Sequence, residues 1–144
     1  MKGFKMLVKN ESLVVEEQIK SPKQVFEILK TIIYYNDSED EVVESDREHF
    51  FAIGLDTSNK IKYVDIVSIG TLNATLSHPR EVYRFAVLKG CNSIIIAHNH
   101  PSGNLKASQQ DNEITERLRQ AGEILQIKLT DSIIFSKTNF VSII

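Results

Sequence analysis

The spacing of apolar residues predicts a helix and then a hairpin in the first half of the chain. Apolar residues recur at helical intervals from Val25 to Ile33, and Ser21–Gln24 before them has the residues of a capping box with proline at the first helical position. Two apolar runs, over 48–56 and 61–69, are separated by the turn-forming sequence Thr-Ser-Asn-Lys. They predict two strands joined as a hairpin.

The second half of the chain continues this alternation and completes an α/β pattern. It predicts, in order, a helix from Pro79 that ends at Gly90, a strand over 93–100, a helix from about Gln109 to Ala121 that Gly122 closes, and strands over 127–135 and 140–144. Helices that alternate with strands predict an α/β fold, here a single-domain mixed β-sheet flanked by helices. The acidic segment 36–47 predicts a surface loop.

Composition is that of an ordinary single-domain protein. The 144 residues carry a formal net charge of −2, so no global positive field attracts nucleic acid, and we do not expect strong direct binding to it. The single cysteine, Cys91, excludes an internal disulfide and a cysteine-rich zinc site. The sequence shows no signal peptide and no apolar run near the ~18 residues of a membrane span, so we expect a cytoplasmic protein without a membrane partner.

Two histidines stand at the end of the apolar strand predicted over 93–100. In an extended strand, residues two apart point to the same face, so His98 and His100 can converge on one ion while Asn99 points away. Asp111 follows after a loop that contains proline and glycine. Two imidazoles and one carboxylate, with a fourth position left for water, are the ligand set of a catalytic zinc site.

Ser108 and Asp111 have a structural explanation as well. Ser-x-x-Asp before an apolar helical stripe is close to a capping box, in which the two side chains satisfy backbone N–H groups at the start of a helix. The residues alone favour neither this explanation nor a ligand role for Asp111. A helix that begins against the strand end could deliver the carboxylate to the ion, and Ser108 could cap that helix and face a substrate at once.

The pattern His-x-His, seven residues, Ser, two residues, Asp resembles the motif of JAMM metalloproteases, also called JAB or MPN-plus domains. The surrounding sequence is similar to the RadC-like bacterial branch over residues 21–144, and residues 1–20 form an N-terminal extension whose loose alternation is compatible with short strands. Four segments carry the resemblance: Ser68–Leu72, His78–Val82, Ala97–Asn104 and Asp131–Ile134. It implies a layered architecture like that of cytidine deaminases.

The resemblance also implies a catalytic site. One zinc ion per chain would be held by His98, His100 and Asp111, with water as the fourth ligand. A glutamate that activates this water is expected at the start of the strand after the first helix, and Glu48 occupies that position, although from the residues alone other nearby acidic side chains compete with it. The Ser108 hydroxyl would donate to the oxyanion that develops during amide hydrolysis.

Two departures from the family pattern limit what carries over. Ser132 stands where family members commonly have histidine, directly after Asp131. This position is outside the ligand set, so zinc binding is expected to survive, whereas activity or substrate choice could differ. Longer members carry an N-terminal helix-hairpin-helix module of a DNA-binding type, for which this chain has no room, so it matches a short bacterial form.

These observations predict a zinc-dependent metallohydrolase of the metallopeptidase or isopeptidase type, in which Glu48 activates a zinc-bound water. We expect a peptide or protein substrate, and a homodimer is compatible with the sequence. The alternative is an accessory protein associated with DNA repair or mobile elements, in which the metal is structural or only weakly catalytic. The mildly acidic composition counts against that alternative.

Overall fold

A computed structural model describes residues 17–34, 47–70 and 78–144 of the chain. The helices are α1 (Pro22–Tyr34), α2 (Pro79–Val82), α3 (Arg84–Leu88) and α4 (Gln109–Leu125), and the strands are β1 (His49–Leu55), β2 (Ile61–Ile69), β3 (Ser93–Asn99), β4 (Lys128–Phe135) and β5 (Phe140–Ser142). Helices and strands follow one another in the α/β order that the apolar pattern predicts.

The five strands form one mixed sheet in the order β2-β1-β3-β4-β5. β1 pairs antiparallel with β2 and β3, β4 pairs antiparallel with β5, and β3 pairs parallel with β4. A parallel pair needs a crossover connection, and α4 supplies it between β3 and β4. The predicted mixed sheet with flanking helices is confirmed, and its central strand ends on the side from which the chain enters α4.

Each face of the sheet has its own apolar cluster. One cluster packs α1 against the sheet and includes Phe26 and Phe135. The other packs the helices α2, α3 and α4 against the opposite face and includes Tyr83, Ile96 and Leu118. Every residue of β1 and β3 is buried, which explains why these strands appear in the sequence as continuous apolar runs rather than as alternating ones.

The helix predicted from Pro79 to Gly90 is two short helices, which corrects that prediction. Tyr83 separates them with φ −92° and ψ −3°, in the bridge region between helix and strand. Its ring is buried, and its hydroxyl donates to the carbonyl oxygen of Leu118 at 2.7 Å. We attribute the break to this anchor on α4. Gly90 follows the second helix with φ +65°, as expected of a glycine at a helix end.

Gly122 does not end its helix, so that prediction is wrong. It lies inside α4, which continues to Leu125 and ends at Gln126 in the left-handed conformation with φ 59°. A Cβ at Gly122 would overlap the backbone oxygen of Ile127 and lie 2.5 Å from the Tyr83 hydroxyl. The close approach of these groups, and not the geometry of a helix end, requires a glycine here.

Residues 1–16, 35–46 and 71–77 lie outside the described residues. The short strands predicted near the start and most of the predicted acidic loop fall there. The first described residues run beside the start of β2, where Gln18 forms a single bridge with Lys60. Within the described ranges, no helix combines the length and the apolar character that crossing a membrane requires.

Candidate metal centre

His98, His100 and Asp111 bring three potential ligand atoms together at the end of β3. His98 is buried in the strand, His100 follows its last residue, and Asp111 lies in the first turn of α4. His98 Nε2 lies 3.0 Å from both His100 Nε2 and Asp111 Oδ1, and His100 Nε2 lies 3.3 Å from Asp111 Oδ2. Among the described residues, these three side chains are the one group of histidine, cysteine and acidic residues that could hold a metal ion.

The turn after β3 fixes the orientation of the His100 ring. His100 Nδ1 lies 2.6 Å from the carbonyl oxygen of Asn104 and donates to it, which in the neutral ring leaves the Nε2 lone pair directed at the cluster. Gly103 permits the turn, because its φ is +85° and its N–H donates to the carbonyl oxygen of His100. Metal-binding histidines are commonly oriented by a backbone carbonyl on the other ring nitrogen.

Ser108 and Asp111 form a reciprocal capping box at the start of α4. The backbone N–H of Ser108 donates to Asp111 Oδ2 at 2.8 Å, and the backbone N–H of Asp111 donates to Ser108 Oγ at 3.0 Å. The capping and ligand explanations are compatible, because the other oxygen of the same carboxylate lies beside His98. The helix cap therefore sets where this carboxylate sits in the cluster.

The surroundings of Asp111 keep its carboxylate ionised. Burial by itself would raise the pKa of Asp111, but hydrogen bonds from His98 and Ser108 outweigh burial and hold this pKa well below its usual range. The Asp111 carboxylate is therefore negatively charged at neutral pH. Such a charge next to two imidazole nitrogens favours a cation over a neutral ligand.

The donor set fits a zinc ion in distance and in chemistry. Atoms bound to tetrahedral zinc at about 2.0–2.1 Å lie roughly 3.3 Å from one another. The two Nε2 atoms are 3.0 Å apart, and the carboxylate lies 3.0 Å from His98 Nε2 through Oδ1 and 3.3 Å from His100 Nε2 through Oδ2. With one oxygen taken as the ligand, the three atoms lie within 4.8 Å of one another. The carboxylate and the Nε2 lone pair of His100 both face Nε2 of His98, which carries at most one proton, so one full hydrogen bond from it cannot satisfy both acceptors. A cation that prefers nitrogen and oxygen ligands satisfies them together.

A cleft of about 390 Å³ opens beside the cluster. Glu48, half-buried just before β1, lines this cleft together with His100, Ser108 and Asp111. The backbone carbonyl oxygen of Glu48 accepts the N–H of Gly70 at 2.8 Å, which ties it to the end of β2. The fold thus brings both side chains predicted to act on a substrate, Glu48 and Ser108, to the cleft next to the three predicted ligands.

Comparison with protein families identifies the family to which most of this chain corresponds. The family model of the RadC-like JAB domain matches residues 19–144. This chain belongs to the RadC-like JAB domain family. The match covers the segment 21–144, in which the sequence motifs resemble this family, and it confirms that resemblance.

Curated relatives of this RadC-like JAB domain bear the name UPF0758 protein. The relative from Pelodictyon phaeoclathratiforme is 39% identical over 124 residues, which are 86% of this chain and 52% of the relative. The relative from Methanosarcina mazei is 37% identical over 142 residues, which are 97% of this chain and 58% of the relative. The relative from Desulforudis audaxviator is 47% identical over 98 residues, 68% of this chain and 43% of the relative. The chain spans about half the length of these curated relatives.

The sequence analysis missed one buried polar residue of this RadC-like domain. Asn99, between the two histidines, is fully buried, and its amide group hydrogen-bonds to the backbone on both sides of Glu48. The sequence predicts only that Asn99 points away from the ligands. The signal that could have identified it is a strongly polar side chain at the end of a buried strand, since burial of an amide is costly unless it is hydrogen-bonded.

Two further residues that the sequence analysis discusses, Ser132 and Cys91, are both buried in the RadC-like domain. Ser132, where the family resemblance leads us to expect histidine, is buried, and its Oγ lies 2.9 Å from Thr115 Oγ1, one helical turn beyond Asp111. Cys91 is buried as well, and burial raises the pKa of its thiol. The reactive thiolate is therefore disfavoured at Cys91.

Proposed function

We propose that this domain is a zinc-dependent hydrolase of peptide or isopeptide bonds. The observation that carries the proposal is the convergence of His98, His100 and Asp111 beside a cleft that Glu48 and Ser108 line. Two histidines and one carboxylate leave a fourth position of zinc open, as in catalytic rather than purely structural zinc sites. When bound, zinc would supply Lewis acidity, which makes hydroxide available near neutral pH.

In this proposal Glu48 moves the protons of the reaction. Its carboxylate accepts a proton from the attacking water and returns it to the amine nitrogen that leaves when the C–N bond breaks. Water adds across the bond, so the products are a carboxylate and an amine, and no covalent enzyme intermediate forms. The half-buried position of Glu48 in the cleft is compatible with contact to both water and substrate.

Ser108 would stabilise the oxyanion of the tetrahedral intermediate. Its Oγ accepts the backbone N–H of Asp111, and Ser108 lines the cleft. Its hydroxyl also lies within hydrogen-bond reach of the Asp111 carboxylate, so in this proposal the hydroxyl hydrogen turns from that carboxylate to the oxyanion. Oxyanion donors of this kind are effective when they are already oriented before the charge develops. The capping hydrogen bond provides that orientation for Ser108.

The first test is the zinc content of the purified chain, measured by elemental analysis of wild type, His100→Ala and His78→Ala. We expect about one zinc ion per chain in the wild type and its loss in His100→Ala. His78→Ala is the matched control, because His78 lies outside the cluster, and it should retain the metal. A wild-type chain that takes up no zinc when zinc is supplied contradicts the proposal.

The second test is hydrolysis of internally quenched peptide libraries and of lysine-isopeptide substrates. Glu48→Gln preserves the size of the side chain but cannot accept the proton, so kcat should fall by about 10²–10⁴-fold while zinc content stays unchanged. Glu113→Gln, an exposed change on α4, should behave as wild type. Full activity of Glu48→Gln, or a zinc-loaded wild type that cleaves none of these substrates, would reject the proposal.

A further inference from the structure

Asn99 stands between the two histidines of the metal cluster but belongs to the other face of the sheet. Successive residues of a strand point to opposite faces, so the Asn99 side chain leaves β3 on the side away from His98. It is 0% exposed, and a primary amide in such a place is stable only when its donor and its acceptor both have partners. Its partners come from a segment far away in sequence.

The amide of Asn99 continues the pairing of β3 with β1 beyond the point where the backbone register stops. The last paired residues of the two strands are Phe50 and His98. Next along the strands, Asn99 Oδ1 accepts the backbone N–H of His49 at 2.6 Å, and Asn99 Nδ2 donates to the backbone carbonyl oxygen of Arg47 at 2.9 Å. The side-chain amide thus takes the part of a peptide group of a neighbouring strand.

These two hydrogen bonds bracket Glu48. One is made to the residue before Glu48 and one to the residue after it, so the backbone that carries the Glu48 side chain is fixed at both ends. The His49 ring adds a third constraint, because its Nδ1 donates to the same carbonyl oxygen of Arg47 at 3.0 Å. His98 and His100 are joined to Asn99 by peptide bonds, so the ligand strand and the segment of Glu48 share one rigid connection.

We propose that Asn99 is a positioning residue that sets the position of Glu48 relative to the metal ligands through its hydrogen bonds to Arg47 and His49. The inference deepens the proposed function and rests on it, since Glu48 is the group whose position matters. A misplacement of about 1 Å in an active site can lower the rate by roughly 100-fold. A rigid link between ligand and proton acceptor prevents such a misplacement.

Only an amide side chain supplies this link at position 99. Asparagine offers a donor and an acceptor in one plane, as a peptide group does. Aspartate would place a second acceptor against the carbonyl oxygen of Arg47 and bury a charge. Alanine would leave the N–H of His49 and the carbonyl of Arg47 without this partner, and serine would restore one of the two hydrogen bonds at most.

The test is a double-mutant cycle of Asn99→Ala and Glu48→Gln, in which kcat and KM of each variant are measured on the zinc-loaded full chain. We expect Asn99→Ala to lower kcat by about 100-fold with little change in KM and with zinc content equal to that of the wild type. In the Glu48→Gln background the same change should cost nothing further, because Asn99 acts through Glu48. Losses that multiply in the double variant would overturn the inference.

A second readout needs no catalysis. Hydrogen exchange of the His49 backbone amide, followed by NMR, should be faster in Asn99→Ala than in wild type, whereas Asn112→Ala, an exposed change on α4, should leave it unaltered. If Asn99→Ala does not fold, Asn99→Ser serves in its place. Unchanged exchange at His49 together with an active wild type rejects this inference alone, whereas an inactive wild type that binds zinc rejects the proposed function.

Discussion

The carboxylate of Asp111 accepts the backbone N–H of Ser108 through Oδ2 while its Oδ1 lies 3.0 Å from Nε2 of His98. One side chain thus completes a helix cap and contributes to the metal cluster at the same time. Movement of the first turn of α4 would therefore move an oxygen atom of the metal cluster. The geometry of the cluster thus depends on the stability of the helix start.

Asp111→Asn and Asp111→Ala separate these two roles. Asparagine keeps an oxygen that can accept the N–H of Ser108, so the unfolding free energy of the metal-free protein should stay close to that of the wild type. Loss of the charged ligand should weaken zinc binding by more than the roughly 10–100-fold typical of outer-shell changes. Alanine should weaken binding and also destabilise the helix start. Chelator competition and urea unfolding measure the two effects, and wild-type zinc affinity in Asp111→Asn would exclude the carboxylate as a ligand.

Ser108→Ala and Ser108→Gly separate the cap from the chemistry. Alanine at an N-cap costs about 0.5–2 kcal/mol of stability, whereas glycine costs only about a few tenths. Both remove the hydroxyl, so both should lower kcat by about 10²–10³-fold if Ser108 donates to the oxyanion. Ser108→Thr keeps the hydroxyl and should retain most of the activity. A glycine variant with wild-type kcat would leave Ser108 as a helix cap alone.

Zinc should stabilise the native chain by binding to it. A ligand at a free concentration of 100 times its Kd raises the unfolding free energy by about 2.7 kcal/mol. We therefore expect a higher Tm with zinc than after chelation in the wild type, and the same Tm under both conditions in His100→Ala. Scanning fluorimetry over a series of zinc concentrations checks this expectation. An equal zinc response in His100→Ala would place the binding elsewhere.

Gly122→Ala should destabilise the fold although alanine is the better helix former. The new Cβ would meet the carbonyl oxygen of Ile127, which is backbone and cannot move away cheaply, and the Tyr83 hydroxyl. Overpacking of this kind typically costs about 1–3 kcal/mol. Gln120→Ala, an exposed change in the same helix, should alter the unfolding free energy by less than about 0.5 kcal/mol. Urea unfolding of the metal-free proteins compares them, and a neutral or stabilising Gly122→Ala would contradict the close approach.

The strands, the main helices and the convergence of His98, His100 and Asp111 could be predicted because their signals are local. Buried strands appear as apolar runs, helix starts carry capping residues, and the His-x-His spacing fixes which side chains share a face. The capping box at Ser108 was visible too. Its coexistence with a ligand position was not, because that depends on where α4 meets β3 in space.

The features that sequence reasoning missed depend on partners that are remote in the chain. Asn99 and Arg47 are 52 residues apart, and Tyr83 and Leu118 are 35 residues apart. The pattern around Tyr83 therefore indicated one continuous helix, and Gly122 looked like a helix end. In each case a tertiary contact overrode the local preference.

The three candidate ligands all lie within residues 98–111, so an ion bound there would close two short loops of chain at the end of β3. Closing a short loop costs little chain entropy, and neither apolar cluster contains a ligand residue. An ion would therefore not be needed for the sheet to form, and it would bind to a chain that is already folded. In a zinc finger, by contrast, the metal supplies the folding free energy and its removal unfolds the chain.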